Sequence, residues 1–372
     1  RFTNLISVFK IILPTLTILM LIISGFHPAH FGHSGGTFMP YGSRSIFEAA
    51  AVSGIIMSYD AFQTIINMGG EMVNPHQNIV RGVLISMIIT AAIYIMLQVA
   101  FIGAIDPAML AKDGWHGINF TSPFADIAIL LGMNWLAILL YMDAFVSPFG
   151  TGVAFVATAS RALAAMTHTK HLPQWLGRLA RRYMIPRFAM VTDFILAVIL
   201  VNTFRNWSLL ATVITGSTLI AYLTGPVTVI ALRKMRPDLK RPFAPAYMSW
   251  LAPVAFVLTS LAIYWTMWPT TIQVILVIAL GLPIYLYYEA RYHHTAWGPQ
   301  LKSSAWLLCY LVFISLMSYV GSEGFGGRNW IKYPWDFVVI IVCSLLFYWW
   351  GTRSHLAEID PGAEEVNQRV KL

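Results

Sequence analysis

Between Gly54 and Pro75 the chain reads GIIMSYDAFQTIINMGGEMVNP, an apolar run interrupted by Asp60, Gln63, the pair Gly69–Gly70 and Glu71. A helix that unwinds at membrane depth frees amides and carbonyls that lipid cannot satisfy, so it persists only where protein or a wet cavity covers it. This stretch therefore demands a fold in which membrane helices surround a polar interior.

The rest of the chain supplies those helices. Hydrophobic residues make up 58% of the sequence and charged residues 11%, with a mean hydropathy of +0.67. Apolar runs of about 20 residues recur along it, the length needed to cross a bilayer. The reading is an all-α polytopic membrane protein with ten transmembrane helices, near 5–25, 49–69, 82–105, 134–165, 188–204, 208–232, 250–268, 270–288, 304–320 and 335–350. The fourth run is too long for one perpendicular crossing and has to tilt or protrude. Cys309 and Cys343 both fall inside apolar runs with no CxxC or histidine partner, so no disulfide framework or zinc site is implied.

The net charge of +8 would suit a nucleic-acid binder, but the cations alternate by loop. With Arg1 inside, eighteen Lys and Arg occupy the inside loops, five occupy the outside loops, and Lys10 lies within a span. This is the positive-inside bias. It predicts both termini in the cytoplasm of a cell membrane and removes any need for a nucleic-acid partner. The sequence opens on Arg1, without a signal peptide and four residues ahead of a span, which suggests a missing beginning.

Ionisable residues within spans are costly unless paired or wet. Lys10, in LISVFKIILPTLTILML, either snorkels to the cytoplasmic interface or faces the core as a group that gains and loses a proton. Asp60, in SYDAFQ, is either a paired acid of a helix interior or part of a broken-helix site. At such a site, free carbonyls and amides hold the ammonium and carboxylate of a zwitterion. Tyr59 and Phe62 beside it either close over a ligand or simply pack. In DAFVSPFGTG, from Asp143 to Gly152, Pro148 removes a backbone donor while Ser147 and Thr151 offer hydroxyls one turn apart. The segment is a kink patched by hydroxyls or a small-cation or proton site facing Lys10.

Other features carry less. His27, His30 and His33 lie in a Gly-rich outside loop without acidic partners and do not read as a metal site. Asp193 belongs near an interface, and Thr212, Thr215 and Ser217 read as helix-helix contacts. GRNW at 327–330 and Trp349–Trp350 read as aromatic interface anchors. No nucleophile-base pair appears, so an enzyme is not expected, and no cofactor is implied.

Several motifs in order carry a family resemblance: FMPYG at 38–42, GEMVNP at 70–75, YMDAFVSPFGTG at 141–152, SRALAAM at 160–166, HLP at 171–173 and LRKMRPDLKRPF at 232–243. The chain resembles the amino acid/polyamine/organocation permease superfamily, and within it the aspartate/proton symporter-like amino acid permeases. The resemblance implies a LeuT-type inverted-repeat fold, of which this sequence would hold the fifth helix, the second repeat and four trailing helices. Residues 1–232 would then be the transporter core portion, 233–351 four C-terminal membrane helices and 352–372 a cytoplasmic tail. The first four helices, including one that supplies half of the family's substrate site, would be absent.

The resemblance further implies proton-coupled amino acid uptake by alternating access, with the lipid bilayer as its setting. Tyr59, Asp60, Ala61, Phe62 and Gln63 match the unwound centre of the family's sixth helix and would bind substrate. Lys10 matches the lysine near the cation site of some proton-coupled members, and Ser147 and Thr151 lie beside that site on the eighth helix, with Asp143 opening the same segment. One departure concerns substrate: Ala61 stands where the family has Gly before the aromatic, with Asp60 preceding it. An unpaired acid there opposes an anionic side chain by ~1 kcal/mol or more. Two rival readings remain, a non-transporting subunit completed by a separate N-terminal half-partner and a degenerate gene remnant.

Overall fold

The computed structural model describes residues 2–31, 42–51, 54–67, 69, 72–180, 183, 185–238, 241, 245–292 and 297–354. Most of FMPYG, Gly70 and Glu71 of GEMVNP, His33, Arg181, Arg182 and the tail from 355 lie outside them.

The expected spans are α-helices. α1 runs Phe2–Gly25, α4 Pro75–Ala104, α7 Asn134–His168, α8 Arg187–Thr203, α9 Trp207–Met235, α10 Met248–Tyr264, α13 Trp297–Val320 and α14 Trp335–Gly351. α7 has 35 residues, about 52 Å at 1.5 Å per residue, so it outruns a perpendicular crossing of a ~30 Å hydrocarbon core. Among the described residues, five helical stretches are long and apolar enough to cross a membrane, and three shorter apolar helices accompany them. The chain is an all-α polytopic membrane protein.

Two expected spans are not single helices. The second consists of α2 (Gly42–Ala51), a 3-10 turn at Met57–Tyr59 and α3 (Phe62–Asn67). Gly54, at φ 84°, adopts a left-handed conformation open to glycine between them. The eighth is divided into α11 (Thr270–Ala279) and α12 (Leu282–Tyr292). Pro283 has no N–H to give the Ala279 carbonyl, and the ladder tightens to Gly281 N–H on the Ile278 carbonyl at 3.0 Å before Tyr285 N–H resumes on Gly281. Two short helices, α5 (Pro107–Asp113) and α6 (Pro123–Leu130), were not expected. Asp106 caps α5 by accepting from Ala108 N–H at 2.8 Å, and Pro107 fills its first position.

The helices gather into two compact units. The first comprises residues 1–40 and 62–158, the second residues 41–61 and 159–372. In the first, α1 lies along α4 over a core that includes Leu13, Leu21, Ala100, Ala104 and Leu136. Small residues set the approach: a Cβ on Gly103 would collide with the Phe26 ring. Side chains of α4 such as Leu84, Ile88 and Ile95 stay exposed, which suits lipid and would be untenable in water.

The second unit has α10 packed on α9 and α14, around Leu223, Phe256, Tyr264, Tyr310, Phe325 and Ile340. Between membrane helices such contacts stabilise by close packing and hydrogen bonding, because lipid tails are as apolar as the core. Asp336 is fully buried within this core. It accepts from Tyr264 Oη–H at 2.7 Å and from Phe337 N–H at 2.9 Å, while Tyr264 Oη accepts from Ser322 N–H at 3.2 Å.

Candidate functional site

In the first unit the polar groups of α7 form a stripe. Asp143, Ser147 and Thr151 are four residues apart, which places them on one helical face. Lys10 of α1 donates from Nζ to Thr151 Oγ1 at 2.7 Å, and Thr151 Oγ1 donates to the Ser147 carbonyl at 3.0 Å. Pro148, inside α7, has no N–H for the Ala144 carbonyl, so the helix is locally short of one bond beside these groups. Asp143 lies within electrostatic reach of Lys10, yet its Oδ1 is buried without a hydrogen-bond partner. The α1–α7 contact is thus a charge-assisted hydrogen bond with an under-satisfied carboxylate nearby. Sequence spacing offered both Ser147 and Thr151 as hydroxyl partners; the structure uses the Thr151 hydroxyl and the Ser147 carbonyl. Phe62 and Gln63 begin α3, which packs on α4 in the same unit.

Tyr59, Asp60 and Ala61 belong to the second unit. The 3-10 turn exists because the chain closes Tyr59 N–H on the Ile56 carbonyl and Asp60 N–H on the Met57 carbonyl, at 3.0 and 3.2 Å, in place of longer α-helical bonds. This turn packs on α9. Asp60 is 8% exposed, interacts through its side chain with Thr218, and takes Tyr222 Oη–H on its backbone carbonyl at 3.4 Å. Its Oδ2 has no partner, and neither does the buried hydroxyl of Thr215, one turn before Thr218. Buried polar atoms left unpaired cost ~1–3 kcal/mol each, so their persistence calls for an explanation such as a ligand. Thr218 and Tyr222 escaped sequence analysis. The signal was there: Thr215, Thr218 and Tyr222 follow helical spacing on one face of α9.

The remaining expected features are scattered. His30 Nδ1 pairs with the Ile102 carbonyl at 2.8 Å, and the described residues contain no cluster of three metal-binding groups. Thr212 bonds back to the Ser208 carbonyl within its own helix. Asp193 keeps one buried oxygen without a partner, and Cys309 and Cys343 are free thiols. Beyond the end of α9, Asp238 forms a two-pronged pair with Arg236, whose hydrogen bonds hold its carboxyl below the usual carboxylate range. His171 stacks on Tyr285 and stands 3.5 Å from the buried carboxylate of Glu289.

Apolar helices, one of them broken and another carrying an internal proline beside polar groups, are the arrangement of a membrane transport protein. The family model described as "Amino acid permease" matches residues 1–275, and the chain belongs to that family, within the amino acid/polyamine/organocation superfamily. The glutamate/serine transporter AimA of Bacillus subtilis (strain 168) is 44% identical over 368 residues, covering 99% of this chain and 68% of that protein. The aspartate-proton symporter of the same organism is 33% identical over 365 residues, covering 96% and 69%. Its branched-chain amino acid permease BcaP is 23% identical over 260 residues, covering 70% and 54%.

Proposed function

We propose that the protein carries amino acids, acidic ones among them, across a cell membrane in symport with protons. The observation that carries the coupling half of this reading is the 2.7 Å bond from Lys10 to Thr151, with Asp143 nearby. This lysine is hydrogen-bonded to a neutral hydroxyl, with a carboxylate within electrostatic reach, an arrangement suited to a coupling group. The printed names of two relatives, one a glutamate/serine transporter and one an aspartate-proton symporter, support the substrate class and the ion. Asp60, with one oxygen unpaired, suits the ammonium of a zwitterion, and the backbone around Tyr59 and Ala61, where the helix is interrupted, suits its carboxylate. The proposed architecture is a LeuT-type core through residue 232, four trailing helices to 351, and both termini cytoplasmic.

The test is uptake of labelled glutamate, aspartate and serine into proteoliposomes holding the natively expressed protein, with and without an inward proton gradient. Accumulation that collapses when a protonophore is added supports the reading. Accumulation indifferent to the gradient removes the proton, and the absence of uptake for all three amino acids removes the substrate class.

A further inference from the structure

At the end of α7 the chain forms an open cavity of about 260 Å³ lined by Thr167, His168, Lys170, Gln174, Gly177 and Arg178. Three of these are basic and none is acidic. Their placement follows from the way α7 stops. Lys170 N–H bonds to the Thr167 carbonyl and His171 N–H to the Met166 carbonyl, both at 3.1 Å, with Lys170 left-handed at φ 59°. This paired closure usually employs Gly or Asn, yet here it presents a lysine. On the other wall the backbone of Gly177 passes so near Thr167 that a Cβ would collide with Oγ1.

The three basic side chains are uncommitted. Among the described residues, no hydrogen bond or ion pair engages the side chain of His168, Lys170 or Arg178. Three other loop cations are occupied: Arg236 pairs with Asp238, Arg241 caps the Leu232 and Arg236 carbonyls, and Arg353 lies 3.8 Å over the Trp349 ring. Beside the cavity, Trp175, Leu179 and Tyr183 are about half exposed, and Trp175 meets Phe188 edge-on. Amphipathic aromatics of this kind sit at the level of lipid headgroups.

We propose that this cavity binds the phosphate of an anionic phospholipid headgroup. Basic pockets at the ends of membrane helices recognise such headgroups through charge and hydrogen bonds. The volume equals roughly nine waters at about 30 Å³ each, more room than a bare phosphate ion fills. Gln174 adds an amide donor beside the charges. The inference concerns this loop alone and does not depend on which substrate crosses the membrane.

The natively expressed protein, purified after incorporation in bilayers of equal phosphatidylglycerol and phosphatidylcholine, would be examined by native mass spectrometry for retained lipid. Preferential retention of phosphatidylglycerol is expected, falling roughly fivefold for each basic side chain removed in Lys170→Gln and Arg178→Gln. Arg328→Gln with Lys332→Gln, the same loss of charge elsewhere, is expected to leave retention unchanged. If the double variant elutes aggregated, Arg178→Gln alone carries the comparison, since that side chain is exposed. Equal retention by wild type and variants overturns the site. Displacement of phosphatidylglycerol by millimolar inorganic phosphate overturns the lipid and assigns the cavity to free phosphate.

Discussion

The polar groups buried near Asp336 and those buried near Asp60 are chemically alike and differently finished. Around Asp336 each carboxylate oxygen has a donor, and the Tyr264 hydroxyl that serves it is itself held by Ser322 N–H. Around Asp60 one carboxylate oxygen and the Thr215 hydroxyl have none. A closed network fixes the local geometry, because any movement breaks several bonds at once. An open one leaves capacity for a ligand and holds its surroundings less firmly. The difference separates polar residues whose hydrogen bonds hold helices together from those with hydrogen-bonding capacity to spare.

The largest expected effect breaks the closed side. Asp336→Ala strands the Tyr264 hydroxyl and should cost about 3 kcal/mol of stability. Thermal melting in detergent would show a clear drop, with uptake per folded molecule preserved. An unchanged melt would mean that the network is not structural. Next comes the open contact of the first unit. Lys10→Ala should abolish the response of uptake to the proton gradient while exchange continues, with a stability change of about 1 kcal/mol or less for one partly exposed hydrogen bond. Counterflow and gradient-driven uptake measured side by side would decide it, and an intact pH response would clear Lys10 of coupling.

Asp60→Asn tests the under-satisfied acid directly. It should shift the ratio of acidic to neutral amino acid uptake about fivefold, the equivalent of ~1 kcal/mol of charge interaction. Competition assays with glutamate and serine would measure that ratio; a constant ratio would take Asp60 out of the site. The smallest effect belongs to Asp238, an exposed carboxylate held below its usual range by Arg236. Its contribution is present above the unfolded value of 3.8 and is lost as pH falls through the lowered folded value. Asp238→Asn should therefore melt marginally lower than wild type at neutral pH and indistinguishably in strong acid. A difference that grows in acid would contradict that sign.

The helices themselves were legible because a bilayer imposes one length and one chemistry on every span. The break near Asp60 was legible for the same reason, since polar and glycine residues in an apolar run have no other accommodation. α5 and α6 were not, being too short to register against a span-length window. The division at Leu280–Gly281 was signalled by Gly281 and Pro283 but hidden within a continuous apolar run. Lys10, Asp143, Ser147 and Thr151 were each visible as misfits, whereas the pairing of Lys10 with Thr151, 141 residues away, is tertiary information. The same holds for Tyr222 on the Asp60 carbonyl and for Asp336, which in sequence is only an acid in the first turn of a helix.

The Thr151 hydroxyl has a direction. Its proton is already given to the Ser147 carbonyl, so it turns only lone pairs toward Lys10. An ammonium is a full match for that acceptor. A neutral amine still reaches it, but without the charge that makes such a bond about twice as strong, and its new lone pair finds no hydrogen on that hydroxyl. Discharging the lysine would therefore also slacken the clasp between α1 and α7. Protonation and helix attachment would then be read out by the same atom.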